Sequence, residues 1–239
     1  MPTLTDLPRH GLFVVGTDTD VGKTAVAVAI LRGLVAAGRR VAAYKPVASG
    51  IATAAEPGGD PERLWEAAGR VGEITAVCPQ CFPAPLSPPR AAEAAGRTVN
   101  EPLLRAGLQA WRDHDIVVVE GAGGLFSPLA RATLGADLAI EFGYPLVVVD
   151  AARLGAIGRT LATVRAARAA GLVVAACVLS HVAPPRGEFD DPAGDSGIAR
   201  ANAADLKRLL PAMPVTLLPH GASGFDPLLD WWALAGGLS

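Results

Sequence analysis

Six apolar, β-rich runs mark the chain: Leu12–Val15, Arg40–Val47, Asp115–Glu120, Pro145–Asp150, Leu172–Leu179 and Val215–Leu218. Segments of helical character separate them: Ala25–Leu31 closed by Gly38, Glu62–Ala68, Glu101–Arg112, Leu134–Phe142, Ile157–Ala170 ended by Gly171, and Ile198–Leu210. Strands that are apolar throughout, alternating with helices, predict a parallel sheet covered on both faces. Asp60 reads as a helix N-cap with Pro61 at the first helical position. Ala48–Gly59 and Ala183–Gly197 read as loops, and the prolines at 79, 83, 85, 88 and 89 exclude long regular structure there. Neither a repeat nor a linker is visible, so residues 1–239 form a single domain with 1–10 as a loose N-terminal extension.

Composition narrows the picture modestly. At 51% hydrophobic and 18% charged residues the chain is globular. A net charge of −2 argues against nucleic acid or an anionic membrane as a partner. The best membrane-span candidate, 25–38, is broken by Arg32, and Met1–Gly11 has no signal-peptide core, so a cytoplasmic setting is expected by default. Cys78-Pro79-Gln80-Cys81 has CxxC spacing, but no second pair or nearby histidine completes a zinc site; two packed thiols are favoured over metal or redox work.

The chemistry concentrates after the first run. Gly16-Thr17-Asp18-Thr19-Asp20-Val21-Gly22-Lys23-Thr24 joins a buried strand to a helix. Backbone N–H groups of such a turn converge on an anion, the helix start reinforces them, Lys23 can reach a terminal phosphate and the Thr24 hydroxyl suits magnesium. The pattern is a P-loop variant with its first glycine displaced by one, which makes the α/β fold P-loop NTPase-like. Three further features fall at strand ends, where open α/β sheets bind ligands: Lys45, Glu120 with the glycines after it, and Ser180-His181. Thr24 and Glu120 are suitable oxygen ligands for magnesium, with Asp60 a third if its loop folds back. Gly121 and Gly123 admit close backbone approach, and Lys45 with Ser49-Gly50 suggests a second anion site opposite the turn. These residues alone indicate a magnesium-nucleotide enzyme with a second anionic substrate.

The turn, Tyr44-Lys45-Pro46-Val47-Ala48-Ser49-Gly50 and Val119-Glu120-Gly121-Ala122-Gly123-Gly124 together resemble the signature segments of the dethiobiotin synthetase family. The likeness runs from about residue 12 to about 180, and the Lys-Pro-Val-Ala-Ser-Gly segment discriminates it from relatives sharing the turn. The resemblance implies an ATP- and Mg2+-dependent cyclo-ligase acting on diaminononanoate and CO2. Lys23 and Lys45 would be the catalytic cations. Asp20, Val21, Gly22, Lys23, Thr24, Ala25, Asp60, Glu120, Gly121, Ala122, Gly123, Ser180, Pro219, His220 and Gly221 would line the nucleotide. Thr24, Asp60 and Glu120 would hold the metal, and Thr19, Ser49 and Gly158 would meet the substrate. It further implies a homodimer with the substrate site near the interface.

Two departures stand out. The family's Leu-Gly-x-Ile-Asn-His reads Leu154-Gly155-Ala156-Ile157-Gly158-Arg159, leaving Arg159 either as a carboxylate ligand or as an exposed arginine of a first helical turn. Ser180-His181 replaces an Asn-Asp pair whose amide reads adenine, which predicts relaxed nucleotide preference, including NTPs other than ATP. The rival from another class is a ParA/MinD-like nucleotide-dependent switch ATPase. Such proteins usually carry an extra lysine early in the turn, absent from Gly16–Val21.

Overall fold

A computed structural model describes residues 7–182 and 194–236. Six parallel strands form the main sheet: β1 (His10–Gly16), β2 (Val41–Tyr44), β5 (Ile116–Gly124), β6 (Leu146–Ala151), β7 (Val174–Ser180) and β8 (Val215–Leu218). Their order is β2-β5-β1-β6-β7-β8, with β1 near the centre. Leu12, Phe13 and Val14 of β1 and Ile116–Val119 of β5 are wholly buried, as strands covered on both faces require. Each such side chain contributes roughly 1.5–3 kcal/mol through burial.

Helices α1 (Lys23–Ala36), α2 (Asp60–Ala67), α6 (Gly135–Phe142), α7 (Ala156–Ala169) and α8 (Gly194–Leu209) pack around the sheet. Shorter helices are α3 (Ile74–Val77), α4 (Pro88–Ala94), α5 (Glu101–Ala106) and α9 (Trp231–Leu234). No helix among the described residues is long and apolar enough to cross a membrane.

Several boundaries differ from the sequence reading, each for a local reason. Gly59, not Asp60, is the N-cap of α2, and Asp60 enters the helix because its carboxylate is engaged by Lys45 instead of by a backbone amide. The strand ending in Glu120 continues to Gly124, because β5 bulges through its glycines and pairs again at Gly16↔Gly124. Within the expected loop after Ala48, β3 (Ala48–Ser49) pairs in parallel with β4 (Cys81–Phe82). The proline-rich segment ends in α4, which begins at Pro88 as first-turn prolines permit. The 101–112 helix tightens into a 3-10 segment at Gly107–Trp111, where Tyr44 OH donates to the carbonyls of Leu103 and Leu104. Helix α8 starts by Gly194, four residues before the expected Ile198, while 183–193 lies outside the described residues. At the N-terminus His10 already pairs with Ile116, and Pro8 O accepts from Tyr144 OH at 2.8 Å, so the loose extension does not reach residue 10. Residues 1–6 lie outside the described residues.

Candidate active site

The turn after β1, Glu120 of β5 and the carboxyl ends of β7 and β8 converge on one cleft of about 520 Å³, and Lys45 lies behind its wall, against Asp60 and Glu120. Its wall includes Asp20, Gly22, Lys23, Thr24, Ala25, Asp60, Glu120, Ser180 and Pro219-His220-Gly221. The turn after β1 needs unusual backbone: Gly22, the N-cap of α1, has φ +91°, and Asp20 has φ +54°. A Cβ on Gly22 would also sit 2.4 Å from Ser180 Oγ, so the turn rests directly on the end of β7. Lys23 folds back over the turn, donating to Asp18 O at 3.0 Å.

A buried polar cluster forms the floor. Lys45 Nζ donates to Glu120 Oε1 at 2.5 Å and to Asp60 Oδ2 at 2.8 Å, and the Thr24 hydroxyl donates to Glu120 Oε1 at 3.0 Å. Glu120 Oε2 is buried and makes no hydrogen bond. A buried carboxylate oxygen without a partner is costly, which marks it as an acceptor awaiting a cation or donor. Burial opposes the charge on Lys45, yet Glu120 and Asp60 outweigh it and raise the ammonium above its ordinary range. Burial likewise works against ionised Asp60, but Lys45 prevails and holds its carboxyl low. Lys23 goes the other way: burial lowers it, Lys45 adds to that, and Glu120 opposes.

The remaining expected residues divide. Val21 is buried in the core, and Gly121, Ala122 and Gly123 lie on the arch of β5, where a Cβ on Gly121 would meet Phe13 at 3.2 Å. Thr19 is exposed at the turn, its amide and hydroxyl on Asp18 Oδ1. Ser49 sits on β3 beyond the cleft wall, and Gly158 is exposed on α7, also off that wall. Arg159 is not a free first-turn arginine: its guanidinium grips the wholly buried Asp150 at 3.1–3.2 Å. Sequence reasoning missed Arg32 and Arg63, which line the cleft mouth. Helical spacing carried the signal, since Arg32 follows Ala25 and Val28 on one face of α1, and Arg63 follows Asp60 by three. The expected packed thiols are free cysteines, Cys78 buried and Cys81 half-buried.

Comparison with known proteins adds three findings. The AAA domain family matches residues 10–219. The chain is 45% identical over 211 residues to the ATP-dependent dethiobiotin synthetase BioD of Anaeromyxobacter dehalogenans (strain 2CP-C), covering 88% of this chain and 90% of that protein. It is 42% identical over 210 residues to the protein of the same name from Rhodopirellula baltica, covering 82% and 78%. Among solved structures, the cell division protein FtsY of Thermotoga maritima aligns with TM-score 0.50 and 16% identity over 97% of this chain and 70% of that one. The hydrogenase maturation factor HypB of Archaeoglobus fulgidus aligns with TM-score 0.50 and 14% identity over 90% and 82%. At such identities these two structures speak for the fold alone.

Proposed function

The chain belongs to the ATP-dependent dethiobiotin synthetase family, and from that premise we propose that it closes a ureido ring on diaminononanoate with CO2 at the expense of ATP. One amine of the substrate takes up CO2 as a carbamate. The carbamate oxygen attacks the γ-phosphorus of ATP, giving a mixed anhydride and ADP. The neighbouring amine then attacks the carbonyl carbon, expelling inorganic phosphate and closing the ring. No step needs a protein nucleophile; positioning and neutralisation of charge suffice.

The observation that carries this reading is the placement of Lys45. A residue from the end of β2 enters the site on the acids of β5 and α2, next to the turn that bears Lys23. Two ammonium groups near one phosphate turn suit a reaction in which a carbamate and a triphosphate, both anionic, must be brought together. Lys23 would meet the terminal phosphate and Lys45 the carbamate. Thr19 and Ser49 would lie along the diamine, and the arch of Gly121-Ala122-Gly123 along the transferring group. Asp20, Val21, Gly22 and Ala25 would hold the phosphates through the turn, with Ser180, Pro219, His220 and Gly221 toward the base.

Magnesium fits the residues present. Glu120 Oε2 is an unpaired buried oxygen, and the Thr24 hydroxyl and Asp60 carboxylate supply two more hard donors. A magnesium ion there would supply charge neutralisation on the phosphates. A homodimer with Gly158 near the partner's substrate and a cytoplasmic setting belong to the same proposal. The test is a product assay by mass with diaminononanoate, bicarbonate and ATP. The expected product has the mass of diamine plus carbon dioxide minus water, with phosphate release negligible until both are present. ATP turnover indifferent to the diamine overturns the reading and returns the switch-type ATPase.

A further inference from the structure

The backbone of Lys45–Gly50 is hydrogen-bonded to the segment Val77–Ala84. The Lys45 amide donates to Val77 O at 2.7 Å, Ala48 to Gln80 O at 2.9 Å and Gly50 to Ala84 O at 3.0 Å. The short ladder places Ala48 opposite Cys81 and Ser49 opposite Phe82. Inside Val77–Ala84 lie Cys78 and Cys81, both free, with their Sγ atoms 3.6 Å apart. Cys78 is 2% exposed, whereas Cys81 is half-buried and within reach of a small solute.

We propose that Cys78 and Cys81 form a dithiol oxidised by hydrogen peroxide to a disulfide, and that this disulfide displaces Lys45–Gly50 and slows the enzyme. The Cys81 thiolate attacks one peroxide oxygen, giving a sulfenic acid and, with a proton, water. The Cys78 sulfur then displaces the hydroxyl from Cys81, its own proton leaving with that hydroxyl as a second water. Two thiols lose two electrons and one peroxide becomes two waters.

The surroundings divide the labour. The hydrogen bond it shares with Cys78 holds the Cys81 thiol below its ordinary value; burial opposes this, and the cations Lys45 and Arg97 assist it. The same hydrogen bond and burial push Cys78 up, so it remains a proton-bearing resolving thiol. The pair is coupled to the site through Gln80, whose carbonyl accepts from both Ala48 N and Cys78 Sγ. Joining the sulfurs requires closure from 3.6 Å to about 2 Å, and close-packed surroundings pass such a movement on. A misplacement on the order of 1 Å costs up to about a hundredfold in rate. Cys177 is an internal control: burial pushes its thiol up to about 12, and its Sγ lies 3.2 Å from Met213 Sδ.

The experiment treats the full chain with hydrogen peroxide, then removes the oxidant. Expected are loss of two hydrogens in intact mass, a cross-link mapped to Cys78 and Cys81, and faster amide exchange at Lys45–Gly50. Ring closure should fall about tenfold or more and return with dithiothreitol. Cys81→Ser should keep both mass and activity under the same dose, and Cys78→Ser should leave a sulfenic acid on Cys81 that dimedone captures. Unchanged mass, or a disulfide form with undiminished activity and unchanged exchange, overturns the proposal. The activity arm rests on the ligase reading; mass and exchange do not, so failure of one is distinguishable from failure of the other.

Discussion

Lys45 Nζ and Glu120 Oε1 stand 2.5 Å apart in the floor of the cleft, joining the residue after β2 to the middle of β5 by a buried ion pair. Lys45 is 5% exposed and Glu120 wholly buried. Removing one partner strands the other charge, which typically costs about 3–5 kcal/mol. Lys45→Ala should therefore lower the unfolding midpoint. It should retain nucleotide binding through the turn yet lose about a hundredfold or more in ring closure, the scale for one electrostatic contact to a transition state. Lys45→Met with Glu120→Gln should recover part of the stability and none of the activity. Single-turnover assays and denaturant melts check both; a fully active Lys45→Ala removes this lysine from the mechanism.

Lys23 carries a pH prediction. Burial, then Lys45, lowers its ammonium below the ordinary 10.5, against the pull of Glu120 and Asp60. In the free protein the charged form is thus a cost to folding that rising pH relieves as it passes the lowered value. A bound triphosphate favours that same charged form, so ATP binding takes up a proton once the free Lys23 has lost it. Affinity should be flat near neutrality and weaken on the alkaline side by up to about tenfold per pH unit, starting below 10.5. Calorimetric Kd values across that limb test this, and a Kd that stays flat up to 10.5 contradicts it.

Ser180 governs a third. It is 1% exposed and lies against the turn, where a Cβ on Gly22 would meet its Oγ at 2.4 Å. A hydroxyl in that position supports the phosphate turn and lacks the paired donor and acceptor that read a base edge. Pockets without such pairing discriminate by about a hundredfold at most. The kcat/KM values for ATP, CTP and GTP should fall within that range. A preference for ATP above about ten-thousandfold would mean that another group reads adenine.

Much of this site was legible because its parts sit where local pattern and strand polarity agree. A buried run ending in Gly16, another before Lys45 and a third before Glu120 could only bring their following residues to one edge of a parallel sheet. What escaped depended on contacts distant in sequence or on geometry without periodicity. The bulge at Gly121–Gly123 follows from pairing with β1, the pairing of β3 with β4 from two residues each, and the entry of Asp60 into α2 from its bond to Lys45. Nothing in the spacing of Cys78 and Cys81 places them beneath the Lys45 segment, which only the ladder does.

Arg159 supplies the last test, because sequence left two roles open and the structure shows a third. Its guanidinium reaches Asp150 through Nε and Nη2, while Asp150 is wholly buried and also accepts from Ala151 N at 2.8 Å and the Thr160 hydroxyl at 3.4 Å. An arginine committed to a buried acid is poorly placed to hold a substrate carboxylate as well. Arg159→Ala should destabilise by about 3 kcal/mol, since the buried Asp150 loses its ion-pair partner. Arg159→Met with Asp150→Asn should restore much of that, because both halves of the pair leave together. The diamine KM should change less than about threefold in the folded double variant, as expected of a residue that binds no substrate. If KM instead rises tenfold or more while stability holds, the carboxylate role returns, because losing a charged hydrogen bond to a ligand costs about 1.5–3 kcal/mol.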